Sequence, residues 1–236
     1  MDENNSGRCV VCDSDNYKVR RNKNGFEMRE CLDCSVGYTN PLVSGNEEEV
    51  GNQNSSVTEY RMTVPHYEIQ SALAKEKAPL MRDYWKSIIG REPKSILEIG
   101  CGTGQYFEAW KDLGIQWQGV DVNSDMLAFC RSKNMPVMSF EDCIKTNEKY
   151  DVIFLSQCFE HILEPYEFLN KIRKFLAVGG IIHMDVPNHN SLTSWYRKIN
   201  IFHKHYGFIE PPYHLIAYTK KSLSILLKRR VVLHFC

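Results

Sequence analysis

The sequence lacks the features that mark membrane, exported or disordered chains. Its 236 residues contain no apolar run near the roughly 18 residues that a membrane-spanning helix needs. The formal net charge is zero, so the composition indicates neither a general polycation for nucleic acid nor an acidic disordered chain. The first seven residues have neither the basic nor the apolar segment of a secretory leader. We therefore expect a globular chain without a membrane span, located in the cytoplasm.

A reducing cytoplasm also excludes a disulfide framework, so the nine cysteines are expected to be metal ligands or core residues. Two C-x-x-C pairs, separated by 18 residues, stand apart by their spacing. Each pair places two thiolates on one side of a tight turn, and two pairs complete a tetrahedron that leaves no open position. This pattern predicts a structural zinc ribbon, with a rubredoxin-type iron site or unligated thiols as alternatives. The predicted ligands are Cys9, Cys12, Cys31 and Cys34.

The residue composition and the hydrophobic pattern change twice along the chain. Residues 1–45 are cysteine-paired, with a hairpin turn expected at Asn24-Gly25. Residues 46–64 are interpreted as a mainly polar linker. Residues 65–236 form the second predicted domain, in which apolar runs alternate with amphipathic stretches. Near its start, apolar residues fall at helical spacing over 66–89, and Pro79 is expected to break or kink that helix.

Strands and helices alternate through the second predicted domain. Nearly continuous apolar runs are typical of strands that are buried on both faces. Alternation with helices predicts an α/β, Rossmann-like, doubly wound and mainly parallel sheet, with ligands beyond the carboxyl ends of its strands. Strands are predicted at 95–100, 117–122, 136–140, 150–156 and 180–186, and helices near 104–113, 124–133, 164–176 and 219–228.

A glycine-rich turn follows the first of these strands. Residues 97–104, LEIGCGTG, have G-x-G-x-G spacing rather than the G-x-G-x-x-G of a dinucleotide site, and Glu98 precedes the first glycine by two places. A pyrophosphate would favour the helix N-terminus but not a nearby carboxylate. S-adenosylmethionine has no phosphate and carries an ammonium and a sulfonium group, so an acidic residue suits it. The turn therefore favours S-adenosylmethionine as cofactor.

The second strand ends at an acidic residue, Asp121, which lies 21 residues after Gly100. This interval is close to that of a ribose-binding carboxylate. Capping of the following helix by Asn123 or Ser124 is the structural alternative, and it is compatible with the ribose role.

Four segments in order resemble the motif series of class I S-adenosylmethionine-dependent methyltransferases: LEIGCGTG, GVDVN, YDVIFLSQCFEHI and FLAVGGIIHMDVPN. The resemblance covers about residues 65–230. It implies that the glycine turn surrounds the methionine half of the cofactor, that Asp121 binds the ribose, and that the loop after the third strand flanks the adenine. The cofactor contacts that it implies are Glu98, Gly100, Gly102, Gly104, Gln105, Asp121, Asn123, Ser139, Phe140 and Gln157.

The cysteine pairs followed by Y-T-N-P at 38–41 resemble a bacterial subgroup of the ubiquinone-methylase-like superfamily with an N-terminal zinc ribbon. The resemblance implies a small acceptor, such as a sugar or nucleotide-sugar hydroxyl or carbon. A quinone-precursor or phenol O-methyltransferase is the alternative within the class. A degenerate methyltransferase serving as a zinc-ribbon interaction protein is the alternative outside it.

Methyl transfer to a hydroxyl or an acidic carbon requires removal of a proton, and histidine suits that task near neutral pH. The candidates are His214, His189 and His161. The Glu160-His161 pair resembles a pair that binds metal in some relatives together with a carboxylate three residues earlier. Gln157 occupies that position here, which argues against a catalytic metal.

Two further interpretations concern partners. Five basic residues with interleaved aromatics over 17–29 fit a nucleic-acid face, but a solvated hairpin is favoured. After the last predicted helix the sequence has room for one strand, at 231–235, where the family's sheet has two. This predicts an incomplete sheet edge, explained either by a shortened gene product or by an oligomer that pairs at that edge.

Overall fold

The computed structural model describes residues 7–23, 25–42, 59–200, 205–211 and 214–228. Within them no helix is long and apolar enough to cross a bilayer. The strands are β1 Tyr17–Lys23, β2 Phe26–Cys31, β3 Gly37–Asn40, β4 Ser95–Ile99, β5 Gln116–Asp121, β6 Val137–Ser139, β7 Tyr150–Ser156, β8 Leu176–Asp185 and β9 Ile216–Ala217. The α-helices are α1 Val64–Ile89, α2 Phe107–Asp112, α3 Ser124–Ser132, α4 Phe140–Cys143, α5 Pro165–Ile172, α6 Leu192–Ile199 and α7 Lys220–Lys228.

Contacts divide the described residues into two compact units that do not follow chain order. Residues 7–42, 157–168 and 186–228 form one unit, here called the cysteine unit. Residues 59–156 and 169–185 form the other, here called the parallel-sheet unit. The division at residue 45 that the sequence suggests therefore separates chain segments that share a compact unit.

The parallel-sheet unit contains five strands in the order β6-β5-β4-β7-β8, all paired in parallel. β4 is central, with β5 on one side and β7 on the other. This order confirms the predicted Rossmann-like sheet. It also places the strand ends at Ile99, Asp121, Ser139, Ser156 and Asp185 along one edge of the sheet.

The first helix of this unit corrects the expectation that Pro79 breaks it, while the alternative of a kink stays a prediction. α1 continues through Pro79 instead of breaking there, and it ends at Gly90, whose φ is 78°. A proline inside a helix removes one hydrogen bond and costs about 3 kcal/mol. Burial of Ala74, Ala78 and Trp85 on one side of α1 offsets that cost.

Aromatic side chains fill the core between α1, α2 and the sheet. The ring centroids of Trp85 and Trp110 lie 5.0 Å apart, and Tyr106 stacks on Trp110 at 5.8 Å. Trp85, Trp110 and Phe154 are buried, and each is large enough to contribute a few kcal/mol of apolar burial. This core gives the strand ends a rigid support.

The cysteine unit contains an antiparallel sheet in the order β1-β2-β3-β9. β1 and β2 flank the expected hairpin turn, where Gly25 has a φ of 80°. β9 joins the edge of β3 through the pairs Gly37–Ala217 and Tyr38–Ile216. A strand from late in the chain thus completes a sheet that begins at residue 17. Of the predicted linker at 46–64, residues 46–58 lie outside the described residues, and residues 59–62 are helical. The predicted strand at 231–235 also lies outside the described residues.

Candidate active site and metal centre

The turn after β4 has the backbone that its glycines permit. Gly100, Gly102 and Gly104 have φ values of 76°, 54° and 68°, which residues with a Cβ rarely adopt. A Cβ on Gly104 would lie 2.5 Å from the Met135 sulfur, whereas one on Gly102 would have no atom within 4 Å. Packing therefore requires a glycine at position 104, because a side chain there would clash with Met135. The open space before Gly102 suits close approach of a ligand.

Asp121 links this turn to the neighbouring strand. One carboxylate oxygen accepts a hydrogen bond from the Gly102 N–H at 2.8 Å, and the other accepts from the Asn123 N–H at 2.9 Å. Each oxygen retains a further lone pair for a ligand hydroxyl. The side chain is half-buried, so it orders the glycine turn and remains accessible.

Glu98 is almost completely buried, with 2% of its surface exposed. Its carboxylate accepts a hydrogen bond from the Trp117 indole N–H at 2.6 Å. Trp117 lies over Gly119, where a Cβ would come within 2.3 Å of the indole. Burial raises the pKa of Glu98 to about 8, while the Trp117 N–H lowers it and the Asp121 charge raises it further. The sequence analysis did not predict a role for Trp117. Its position two residues before Gly119, on the same face of β5, could have indicated that the indole packs over the glycine.

The other predicted contacts of this unit mainly cap helices. The Asn123 side chain accepts from the N–H groups of Asp125 and Met126, which makes it the N-cap of α3. Ser139 is the N-cap of α4 and accepts from the Asp142 N–H at 3.1 Å. Phe140 begins α4 and is half-buried, and Gln105 is half-buried within the turn after Gly104. Ser139 is the last residue of β6, and Asn123 lies two residues after the end of β5. The two hydrogen bonds to the Asn123 side chain confirm its capping interpretation.

Two features of the same strand edge were not foreseen. Val122, next to Asp121, is 86% exposed and offers an apolar surface at the edge where ligands bind in such sheets. Farther along, the Trp85 indole N–H donates to His183 Nδ1 at 2.9 Å, and His183 Nε2 lies 3.2 Å from the Asp185 carboxylate. His183 is buried, as expected of a core histidine, and it holds Asp185 at the end of β8.

In the cysteine unit, the four predicted cysteines converge. Their sulfur atoms all lie within 4.8 Å of one another, and the Cys9–Cys34 and Cys12–Cys31 sulfur pairs are both 3.5 Å apart. Four thiolates bound to zinc at 2.3 Å in a tetrahedron would lie about 3.8 Å apart. The donor set and spacing therefore fit a tetrahedral thiolate site.

His161 and His214 also come together in the cysteine unit, with ring centroids 4.9 Å apart. His161 is exposed at the end of a 3-10 turn, and His214 is partly exposed, with its Nδ1 4.0 Å from the Glu210 carboxylate. Glu160, beside them, is buried, and burial raises its pKa to about 7. Both histidines are thus accessible to solvent.

His189 has a different environment. Its ring is completely buried, and a Cβ on Gly37 or Gly207 would come within 2.8 or 2.6 Å of it. Burial, with the nearby Lys198 charge, lowers its pKa to about 3. The ring packs between two glycines and is withdrawn from solvent, so this placement favours a packing role over proton removal from an acceptor.

Gln157 begins the segment of the cysteine unit that follows β7. It is exposed and has a φ of 51°, in the left-handed region where residues other than glycine are uncommon. The strained backbone directly after a sheet strand is typical of a functional turn.

The fold and the geometry of the strand edge define the structural class of this protein. A parallel sheet with a glycine turn after its central strand, and a carboxylate at the end of the adjacent strand, is the arrangement of Rossmann-like nucleoside-binding domains. Residues 69–230 match a family model described as a methyltransferase domain. This match takes in more than half of the chain, and the chain belongs to that family.

Similar proteins include a ubiquinone biosynthesis O-methyltransferase from Hydrogenovibrio crunogenus, 26% identical over 56% of this chain and 63% of that protein. The C-methyltransferase NovU from Streptomyces niveus is 23% identical over 48% of this chain and 29% of that protein. The chain therefore spans less than two thirds of these curated relatives. Among solved structures, the plantazolicin methyltransferase BpumL in complex with SAH has a TM-score of 0.57 at 22% identity, over 78% of this chain and 72% of that chain. This likeness confirms the fold.

Proposed function

We propose that the chain transfers a methyl group from S-adenosylmethionine to a small acceptor, at a hydroxyl or carbon of a sugar or nucleotide-linked sugar. The observation that carries the cofactor assignment is the Gly102 N–H bound to Asp121 at 2.8 Å beside an open space. Asp121 holds the ribose hydroxyls in this proposal. Glu98, two residues before the glycines, faces the cationic methionine half.

The apolar edge of the proposed site receives the adenine. Val122 offers an exposed apolar surface next to Asp121, and Phe140 lies just after the neighbouring strand β6. Asn123 and Ser139 order the turns that carry these side chains, through their helix caps. Gln105 and Gln157 stay proposed cofactor contacts on the strength of the motif resemblance alone.

Proton removal from the acceptor falls to His214 or His161 in this proposal. Both are accessible, and neighbouring Glu210 can accept a hydrogen bond from His214 or stabilise its charged form. The buried His189 ring is the weakest of the three candidates. S-adenosylmethionine supplies the electrophilic methyl group, so the protein needs only to align the acceptor and to take its proton.

The sugar acceptor is supported by the resemblance of the cysteine pairs and the Y-T-N-P segment. Transfer to a carbon atom is supported by the similarity to the C-methyltransferase NovU. A phenolic or quinone-precursor acceptor is the second candidate, because a relative is a ubiquinone biosynthesis O-methyltransferase. Both candidates present a hydroxyl or an acidic carbon, so the same histidines serve either.

We also propose that Cys9, Cys12, Cys31 and Cys34 hold one structural zinc ion. Four protein thiolates leave no position for substrate, so this ion stabilises the cysteine unit and takes no part in methyl transfer.

Calorimetry and a transfer assay together test the proposal. The purified chain should bind S-adenosylmethionine with a stoichiometry near one. With methyl-labelled cofactor, nucleotide sugars should accept label in preference to catechols. Absence of cofactor binding would overturn the proposed function. Preferential labelling of catechols would instead support the phenolic or quinone-precursor acceptor.

A further inference from the structure

A hydrogen-bonded series of three side chains ends at the carboxyl end of β8. The Trp85 indole N–H donates to His183 Nδ1 at 2.9 Å, and His183 Nε2 lies 3.2 Å from a carboxylate oxygen of Asp185. The indole and the imidazole are buried, whereas the Asp185 side chain is 47% exposed. The series therefore runs from the core of the parallel-sheet unit to its accessible strand edge.

Trp85 determines which nitrogen of His183 carries the ring proton. An indole N–H can only donate, so Nδ1 must accept and the proton must lie on Nε2. Nε2–H is therefore the donor to Asp185. This donor holds one carboxylate oxygen from the buried side, and a carboxylate has further lone pairs for other donors. Asp185 is thus fixed in direction and can still accept a hydrogen bond at its exposed surface.

Ring contacts connect this series to the residue that follows the glycine turn. The ring centroids of His183 and Phe154 lie 5.5 Å apart, and those of Phe154 and Tyr106 lie 5.3 Å apart. Burial, together with the charges of Glu98 and Asp185, raises the pKa of Tyr106 to about 12. The Asp185 charge is therefore near enough to act at the end of the glycine turn.

The strand order gives Asp185 a place in the proposed reaction. With the ribose at Asp121 after β5 and the adenine beyond β6, the methionine half of the cofactor lies over the end of β4. β7 and β8 lie on the other side of β4, away from the adenine. Since ligands of such sheets bind beyond the carboxyl ends of the strands, the ends of β7 and β8 lie on the side of the sulfonium methyl group.

We propose that Asp185 binds the acceptor by accepting a hydrogen bond from a hydroxyl beside the methylated position, with His183 and Trp85 as positioning residues. The inference rests on the proposed function, because it places the cofactor at the glycine turn. A fixed carboxylate favours acceptors that carry a hydroxyl or ammonium donor at that point, and it repels acceptors that carry an acidic group there. His214 or His161 still removes the proton, since Asp185 binds a neighbouring group instead of the reacting one.

The test uses methyl-transfer kinetics with the nucleotide sugar or catechol that accepts label best. Asp185→Asn should raise the KM for this acceptor about tenfold or more, because the amide oxygen keeps the His183 bond and the amide N–H, a donor, faces the acceptor hydroxyl. The kcat should change less, and the affinity for S-adenosylmethionine should hardly change. Asp112→Asn, at the end of α2 with 58% of its side chain exposed, is the matched control and should keep the wild-type KM.

A second pair of variants tests the positioning role. Trp85→Phe removes the donor to His183. Trp110→Phe is its matched control, because the Trp110 indole is buried in the same core and its N–H has no hydrogen-bond partner among the described residues. Side-chain ¹⁵N NMR should find His183 protonated on Nε2 in the wild type and in Trp110→Phe, and a mixture of tautomers in Trp85→Phe. The acceptor KM should rise in Trp85→Phe alone, by less than in Asp185→Asn.

Calorimetry with S-adenosylmethionine separates the possible failures. A wild type that does not bind the cofactor loses the proposed function, and this inference with it. Normal cofactor binding and labelling with an unchanged acceptor KM in Asp185→Asn would overturn the inference alone. Lost cofactor affinity in Asp185→Asn would do the same, because it would place Asp185 at the cofactor. A proton on Nδ1 of His183 in the wild type would reject the positioning by Trp85. Thermal unfolding establishes that each variant is folded.

Discussion

The two compact units assemble their candidate sites in different ways. In the parallel-sheet unit, the residues from Glu98 to Phe140 lie in one continuous stretch, and the order of strands brings their ends to one edge. In the cysteine unit, the cysteines, the Glu160-His161 pair and His214 come from three separate segments of the chain. Local motifs therefore specify the first site almost completely. In the second unit, the four cysteines lie within one segment, but the pair of His161 and His214 forms between residues 53 positions apart in the sequence.

Among variants that would test this difference between the two units, Cys31→Ser is expected to have the largest effect on folding. Structural zinc contributes on the order of 10 kcal/mol in small ribbons, so the loss of one thiolate should unfold the cysteine unit. Since β9 pairs with β3, the arrangement around His214 should be lost too. The parallel-sheet unit has its own core and should still bind S-adenosylmethionine.

Elemental analysis, hydrogen exchange and calorimetry check this prediction. The wild type should contain about one zinc per chain. Cys143→Ser, at a cysteine outside the four-thiolate group, is the control and should retain that zinc. Cysteine-unit amides that stay protected in Cys31→Ser would contradict the expectation, as would iron in place of zinc in the wild type.

The next effect is on turnover. His214→Ala should lower turnover about 10²–10⁴-fold, the usual cost of losing a general base, while cofactor affinity hardly changes. His189→Ala should instead reduce the melting temperature, because it leaves a cavity between Gly37 and Gly207. Steady-state kinetics and thermal unfolding separate the two outcomes. Near-normal turnover in His214→Ala, His161→Ala and His189→Ala alike would reject proton removal by these histidines.

A smaller effect is expected at the ribose carboxylate. Asp121→Ala should weaken S-adenosylmethionine binding about ten- to a hundredfold, because a charge-assisted hydrogen bond is worth roughly 1.5–3 kcal/mol. Asp121→Asn keeps one oxygen acceptor and should lose less. Asp125→Ala, on the exposed first turn of α3, is the control. Calorimetry that finds the same affinity in Asp121→Ala and in the wild type would remove Asp121 from the site.

The smallest effect is a pH dependence that isolates Glu98. Its pKa of about 8 means that the free protein holds this carboxyl protonated at neutral pH. If the ionised form attracts the cationic cofactor, affinity should rise as pH increases toward 8, by at most about tenfold per unit. Glu98→Gln should bind more weakly and lose that rise.

Titration of the cofactor's own amine affects both proteins equally, so the difference between the wild-type and Glu98→Gln profiles reports Glu98 alone. Trp117→Phe removes the N–H that lowers the pKa of Glu98, and it should move the inflection to higher pH. Parallel profiles for wild type and Glu98→Gln would show that the carboxyl does not titrate in the binding reaction.

Much of the parallel-sheet unit was predictable. The five strands fall close to the predicted apolar runs, since strands buried on both faces have a nearly continuous signal. Pro79 does not break α1, because burial of one side of the helix offsets the local cost of the proline. Trp117, Val122 and the pairing of His183 with Asp185 were missed because each depends on how adjacent strands place side chains across the sheet.

The sequence by itself determined the cysteine spacing, the glycine turn with its acidic partners, and the alternation of strands and helices. These are local properties, set by backbone freedom, thiolate geometry and hydrophobic period. Only the tertiary structure decided which histidines are exposed, because burial depends on distant partners. It withdrew His189 between Gly37 and Gly207, and it brought His214 to His161 beside the buried Glu160. Spacing along a chain cannot encode such contacts, since they form between segments that are distant in the sequence.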